Sequence, residues 1–183
     1  MRFIREGWSR MKKETIVANN LLGRDGLVLL GLSATALLIS AAPPVAAQTA
    51  GWQPGPGAIL DNTYEGEIES PTSGAAVRAS SPVFVAGWFV DTTAQGWAGA
   101  DAAQVWLGTM EDPHGRALAN APVALNRPDV AAATGNPYWA ASGFQATIPG
   151  STIPSGAQTL SVYIHTGGKG WWYKQVTVIG GAP

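Results

Sequence analysis

The sequence predicts an all-β fold, an antiparallel sandwich of about seven strands with one short helical turn. Three observations predict it: apolar runs of strand length, period-2 alternation within most of them, and turn-forming clusters of Gly, Pro, Asn or Asp between them. The first run is Glu65 to Glu69, closed by Pro71-Thr72-Ser73-Gly74. Val83 to Val90 follows and is apolar on both faces, the pattern of a strand buried on both sides. From Ala103 to Met110 the run alternates, with Val105 and Leu107 facing one way and Gln104 and Trp106 the other. Arg116 to Leu125 holds one strand or two short ones, because Pro122 cannot donate to a ladder.

The helical turn is expected over 128–134. Pro128 presets φ for a first turn, Asp129 sets a carboxylate beside the unpaired N–H groups and within reach of Arg127, three alanines favour helix, and Gly135 can stop it in the left-handed conformation. Gly143 to Pro149 then puts Phe144, Ala146 and Ile148 on one face. Thr159 to Thr166 does the same with Leu160, Val162 and Ile164, leaving Ser161, Tyr163 and His165 opposite. Gly167-Gly168-Lys169-Gly170 reads as a hairpin turn. The last strand, Trp171 to Ile179, carries a conflict: Trp172 and Lys174 share parity with Val176 and Val178, so a straight strand aims Lys174 at the core. Either a bulge near Lys174 or Gln175 shifts the register, or the early half lies beyond the core rim.

Upstream of these runs, Leu27 to Ala42 is an uncharged, mostly apolar segment following a basic N-terminus. Pro43-Pro44 breaks any helix there, and Val45-Ala46-Ala47 offers the small residues of a cleavage site. The segment is slightly shorter than the about 20 residues of a membrane span, so it reads as a secretory signal or, alternatively, an uncleaved anchor. Either Met1 or Met11 could be the initiator. The expected division is a basic n-region over 1–26, the apolar segment and cleavage site over 27–47, a Gly/Pro-rich linker over 48–65, the sandwich over 66–179, and a tail over 180–183. The domain is then expected outside the cytoplasm, secreted or on the outer face of the cell membrane, with the N-terminal segment engaging the membrane during export or as an anchor.

Residues 48–183 carry five Arg and Lys against nine carboxylates. A mildly acidic domain without a basic stripe is a poor partner for nucleic acid. The absence of cysteine excludes disulfides, zinc–thiolate sites and a thiol nucleophile.

The runs Gly87-Trp88-Phe89-Val90-Asp91, Val105-Trp106-Leu107-Gly108, Arg127-Pro128-Asp129-Val130, Ser142-Gly143-Phe144, Leu160-Ser161-Val162-Tyr163 and Gly170-Trp171 occur in that order. In this order the chain resembles a bacterial immunoglobulin-like module of secreted and cell-surface proteins, over about Ile68 to Ile179. The resemblance implies an immunoglobulin-like sandwich used for spacing, adhesion or ligand contact. It brings no catalytic residues.

Candidate chemistry is sparse. His114 sits in a turn sequence and His165 on a strand face, and no serine at a strained elbow accompanies either. Asp91, Asp101, Glu111, Asp112 and Asp129 could supply an acid and a base for glycoside hydrolysis. Glu65, Glu67 and Glu69 could attract calcium, but at period 2 they read better as a charged strand edge that discourages pairing. The aromatic set near the last turn is more suggestive. Trp171 and Tyr173 share one strand face, and Tyr163 extends it if the neighbouring strand lies alongside. Such a face is either a platform for sugar rings or a partner, or ordinary rim packing. Trp97, in a long loop, is a weaker contact candidate, and Arg127, Pro128, Asp129 and Val130 form a structural motif.

The expectation is a non-catalytic binding or spacer module at the cell envelope, with no cofactor or metal, contacting glycan or a surface protein. The alternatives are a small envelope-polysaccharide hydrolase and a self-associating structural protein.

Overall fold

The computed structural model describes residues 51–182. Segments 1–26 and 27–47, residues 48–50 and Pro183 lie outside the described residues, and the expected signal or anchor helix lies there with them. No helix among the described residues is long and apolar enough to cross a membrane.

The strands are β1 (Gln53–Pro54), β2 (Tyr64–Ser70), β3 (Ala75–Arg78), β4 (Pro82–Asp91), β5 (Ala100–Leu107), β6 (Arg116–Ala121), β7 (Gly143–Pro149), β8 (Gly156–Thr166) and β9 (Gly170–Ala182). They form two sheets. One runs β1-β9-β8-β5-β6, with β3 also on β9; the other runs β2-β4-β7. The inward residues of both make one core, with Ile68, Val85, Phe89, Phe144 and Ile148 from the smaller sheet and Val105, Leu160, Val162, Ile164, Val176 and Val178 from the larger. With no disulfide, this burial, at about 1.5–3 kcal/mol per large apolar side chain, is the main stabilising term.

Among the described residues nine strands stand where about seven are expected, and the two extra ones, β1 and β3, lie outside the runs read as strands. β1 is two residues held on the edge of β9, with Gln53 opposite Tyr173. It follows Trp52, whose indole is buried against Phe89 with ring centroids 4.9 Å apart. The tract read as a linker over 48–65 therefore holds core and strand residues from Trp52 on. β3 pairs with β9 in parallel, so the larger sheet is not wholly antiparallel. β9 extends through Ala182, taking in most of the tract read as a tail over 180–183.

The apolar runs face as their pattern dictates, except that β4, expected to be buried on both sides, is so only in part. On β4, Val83, Val85 and Phe89 point inward, but Phe84 is 48% exposed. The outer face of β4 is thus open to solvent at Phe84, half-covered at Ala86 and Trp88, and fully buried at Val90. Arg116–Ala121 forms one strand that ends before Pro122, and Leu125 makes a single bridge to Gly143. Helix α1 spans Pro128–Thr134 and stops at Gly135, whose φ of 70° is the left-handed conformation glycine adopts without strain.

The conflict on β9 resolves in a third way. β8 and β9 pair without interruption from Gly156↔Gly180 to Thr166↔Gly170, so no bulge rescues Lys174. Nor does the first half of β9 lie beyond the core, since Trp172 and Lys174 are each only 2% exposed. Lys174 points inward and its ammonium is satisfied across the sandwich: Nζ donates to Gly66 O at 3.1 Å and to Glu67 Oε2 at 2.6 Å. The remaining core-facing space at that level is filled by Tyr64, whose ring lies 4.3 Å from Trp172 and 5.5 Å from Phe89.

Candidate functional site

The outer face of the larger sheet carries the most distinctive side-chain assembly. Regular β8–β9 pairing sets Tyr163 opposite Tyr173 and His165 opposite Trp171. On the other side of β8, β5 sets Gln104 opposite Tyr163 and Trp106 opposite Ser161. Val105, Val162 and Ile164 take the core, so this second set has the parity that points away from it. The rings meet: Tyr163 lies 4.9 Å from Tyr173 and 6.2 Å from Trp106, and His165 lies 5.0 Å from Trp171.

Polar groups fix these rings. Trp106 Nε1 donates to Gln104 Oε1 at 2.9 Å, and Gln175 Nε2 donates to Ser161 Oγ at 3.1 Å. His165 Nδ1 and Asp101 Oδ1 are 2.6 Å apart. The face therefore combines half-buried rings with amide, hydroxyl, imidazole and carboxylate groups.

Of the residues singled out from sequence, Trp171, Tyr173 and Tyr163 come together here. Tyr163 takes a different part from the one expected. It is fully buried, not an exposed extension of a platform. Its hydroxyl accepts from the Met110 N–H at 3.0 Å and donates to Glu111 Oε2 at 3.1 Å, so the turn after β5 closes over it. Burial, reinforced by the Glu111 charge, pushes the phenol well above its usual range, the Met110 N–H opposing it. Tyr163 is the floor, and Trp106, Tyr173, Trp171 and His165 are the half-buried rings around it. Trp106 and His165 join the set as well, and the signal for them in the sequence is strand parity, which they share with Gln104 and Tyr163. Trp97 is 44% exposed in the β4–β5 loop and shares no ring contact with this set among the described residues.

The Arg127-Pro128-Asp129-Val130 stretch is built as a clamp. Arg127 Nη1 and Nη2 donate to Glu69 Oε2 and Oε1 at 2.9 and 2.8 Å, while Nε and Nη2 donate to Asp129 Oδ1 and Oδ2 at 2.9 and 2.6 Å. One planar guanidinium thus ties the helix start to the edge strand β2 through two forks. Asp129 was expected to serve chiefly the unpaired helix N–H groups. Its main partner is Arg127, which holds the carboxyl at about 2, with the N–H groups of Asp129 and Val130 adding less. Val130 is buried, and Arg127 N–H donates to Ala140 O at 2.6 Å, which links this stretch to the residues before Ser142-Gly143-Phe144.

A third assembly closes one end of the sandwich. Lys169 Nζ lies 2.8 Å from Asp61 Oδ2 and 2.7 Å from Asp91 Oδ2, and donates to Thr93 Oγ1 at 2.6 Å. Burial pulls the Asp91 carboxyl upward, but Lys169 and Thr93 outweigh it and hold it below the usual range.

The five carboxylates considered for hydrolysis all have partners. Asp91 meets Lys169, Asp101 meets His165, Glu111 meets Tyr163 and Asp129 meets Arg127, while Asp112 accepts from the His114 N–H in its own turn. Glu67 is paired with Lys174, and Glu69 shares Arg127 with Asp129, so the acidic edge of β2 is partly compensated. Among the described residues, no three His, Asp or Glu side chains gather to hold a metal. A scan against known protein families and a search of curated protein sequences find no match to this chain.

Proposed function

We propose that the domain is a non-catalytic, immunoglobulin-like binding module working outside the cytoplasm, at the cell envelope, and that it contacts neutral glycan through the outer face of β5, β8 and β9. The observation that carries the reading is the ring set Trp106, Tyr173, Trp171 and His165 around the buried Tyr163. Aromatic faces stack on the apolar faces of sugar rings, and adjacent amides and carboxylates take the hydroxyls. Besides the two phenols, the ionisable groups in contact with the set are Asp101, Glu111 and His165, and no Lys or Arg belongs to it, which favours neutral over anionic sugars. Engagement of each loop carboxylate by a structural partner favours binding over hydrolysis, as do the residues that resemble the immunoglobulin-like modules. The apolar segment Leu27–Ala42 behind a basic terminus supports the location.

The test is titration of the full chain with neutral and anionic envelope polysaccharides. Trp171→Ala and Tyr173→Ala are each expected to weaken neutral-glycan binding by about tenfold, the equivalent of one lost stacking contact. Phe84→Ala, on the outer face of the other sheet, should leave it unchanged. Binding that ignores both ring substitutions, or release of reducing ends during incubation, would overturn the proposal.

A further inference from the structure

Five large apolar side chains are exposed in the described domain, and three of them stand at one end: Ile59 at 53%, Leu60 at 78% and Trp97 at 44%. The topology places them together. β4 ends at Asp91 and β5 begins at Ala100, so Trp97 lies in the loop that joins the sheets at the same end as the β8–β9 turn. The strap before β2 crosses that end as well, its Ile59 N–H donating to Lys169 O at 3.0 Å. Lys169 binds both pieces from beneath, reaching Asp61 and Thr63 on the strap and Asp91 and Thr93 at the loop.

We propose that this end is a lipid-docking tip, in which Ile59, Leu60 and Trp97 enter the interfacial region of a bilayer. The residue types fit: two aliphatic chains can insert, and tryptophan favours the boundary between headgroups and acyl chains. The electrostatics fit too. Lys169 is locked to Asp61 and Asp91, Asp101 beside Gly167 faces His165, and the rest of the strap and loop surface (Pro56 to Leu60, Thr92 to Trp97, Gly167, Gly168) carries no charge, so the tip holds only a small negative charge that a zwitterionic bilayer does not repel. Elsewhere the domain is acidic and would be repelled by an anionic bilayer. The tip is a surface that a membrane of ordinary composition does not oppose.

The Lys169 ammonium bonds tie the strap and the loop together without any lipid present. Little ordering entropy is then left to lose on docking. Proximity to a membrane rests on the export reading of Leu27–Ala42. Where that segment is kept, the eight residues from Pro43 to Ala50 span up to about 30 Å, more than the ~20 Å of strand between the level of Gly51 and the tip. Where it is removed, the domain is still released at a bilayer.

The cysteine-free chain allows a direct test. The full-length protein carrying Leu60→Cys is labelled with a polarity-sensitive fluorophore and mixed with phosphatidylcholine vesicles. Ser80→Cys, at the opposite end, is the control. The Leu60 probe is expected to shift to shorter wavelength, to be quenched by spin-labelled acyl chains and to be shielded from aqueous iodide, while the Ser80 probe stays in water. Adding Ile59→Ser and Trp97→Ser should return the Leu60 probe to water without altering glycan affinity. Equal iodide access at both positions, or failure of the chain to sediment with vesicles, overturns the proposal. So does a Leu60 shift that needs no vesicles and grows with protein concentration, which would assign the tip to a second copy. Failure of the export reading shows separately, as a domain that external protease cannot reach in intact cells.

Discussion

Lys174 Nζ lies 2.6 Å from Glu67 Oε2, joining the core-facing side of β9 to the edge strand of the opposite sheet. The two ends of this bond differ in environment, since the lysine side chain is 3% exposed and the glutamate 53%. Water already solvates part of the carboxylate, whereas the ammonium depends on its protein partners. Glu67→Ala leaves Nζ with Gly66 O alone and is expected to cost about 1–3 kcal/mol in a urea titration. Lys174→Met keeps the stem packing and removes the charge, so it should fall within about 1 kcal/mol of the parent or stabilise it. The reverse order of the two variants would mean that the ion pair itself, not satisfaction of the lysine, stabilises the fold.

This pair also marks the limit of what the sequence makes legible. Alternation on β7 sets its face because each side chain there obeys burial by polarity, and on β8 it sets Leu160, Val162 and Ile164 inward although Ser161 and Tyr163 opposite them are buried as well. On β9 the parity reading is geometrically sound, yet it needs a cation in the core, and the acceptors that make this tolerable come from β2, more than a hundred residues away in the chain. β1 and β3 escape notice for another reason. Gln53–Pro54 and Ala75–Arg78 have no strand-forming pattern of their own and are held by the edge of β9. The candidate face is half legible: parity puts Trp171 and Tyr173 together, but nothing local indicates that the Met110–Glu111 turn closes over Tyr163.

Phe144 and Gly87 test the inward face and the close packing of the smaller sheet. Phe144 is buried, and a Cβ on Gly87 would lie 2.7 Å from its ring and 1.9 Å from Glu67 O. Phe144→Ala should cost about 3–5 kcal/mol. Gly87→Ala adds a single methyl, yet should be at least as damaging as a typical overpacking change of about 1–3 kcal/mol, because the obstacle is backbone. Denaturation midpoints of the two variants check both expectations, and a near-neutral Gly87→Ala would refute the close approach of β2 and β4.

Arg127 and Asp129 predict behaviour in acid. A carboxyl that titrates at about 2 when folded, against 3.8 when free, contributes stability that is complete above pH about 4 and disappears as the pH falls toward 2. Asp129→Asn should therefore flatten part of the fall in melting temperature across that window. The slope that remains belongs to Asp61 and Asp91, which Lys169 holds low in the same direction. At neutral pH, Arg127→Lys keeps the charge but cannot form two forks, so its melting temperature should lie between those of the parent and Arg127→Ala. An unchanged acid profile for Asp129→Asn would show that the Arg127 contact does not persist in solution.

Tyr163 links stability to the candidate face. Tyr163→Phe retains the ring that packs between Tyr173 and Trp106 but removes the hydroxyl that accepts from Met110 and donates to Glu111. The Met110 N–H then loses its partner, a change worth about 1–3 kcal/mol. The turn over the ring should loosen with it, seen as faster hydrogen exchange at the Met110 amide. The pH dependence has a definite sign. Burial raises the phenol above the 10.0 of a free tyrosine, so the folded state favours the neutral form. Its contribution is complete below pH about 10 and is lost as the pH rises further. The parent should therefore lose melting temperature more steeply above pH 10 than Tyr163→Phe does. If the proposed glycan contact requires a closed turn, the phenylalanine variant also binds more weakly at neutral pH while its half-buried rings stay in place. Faster exchange at Met110 with undiminished glycan affinity would instead confine the role of Tyr163 to the fold.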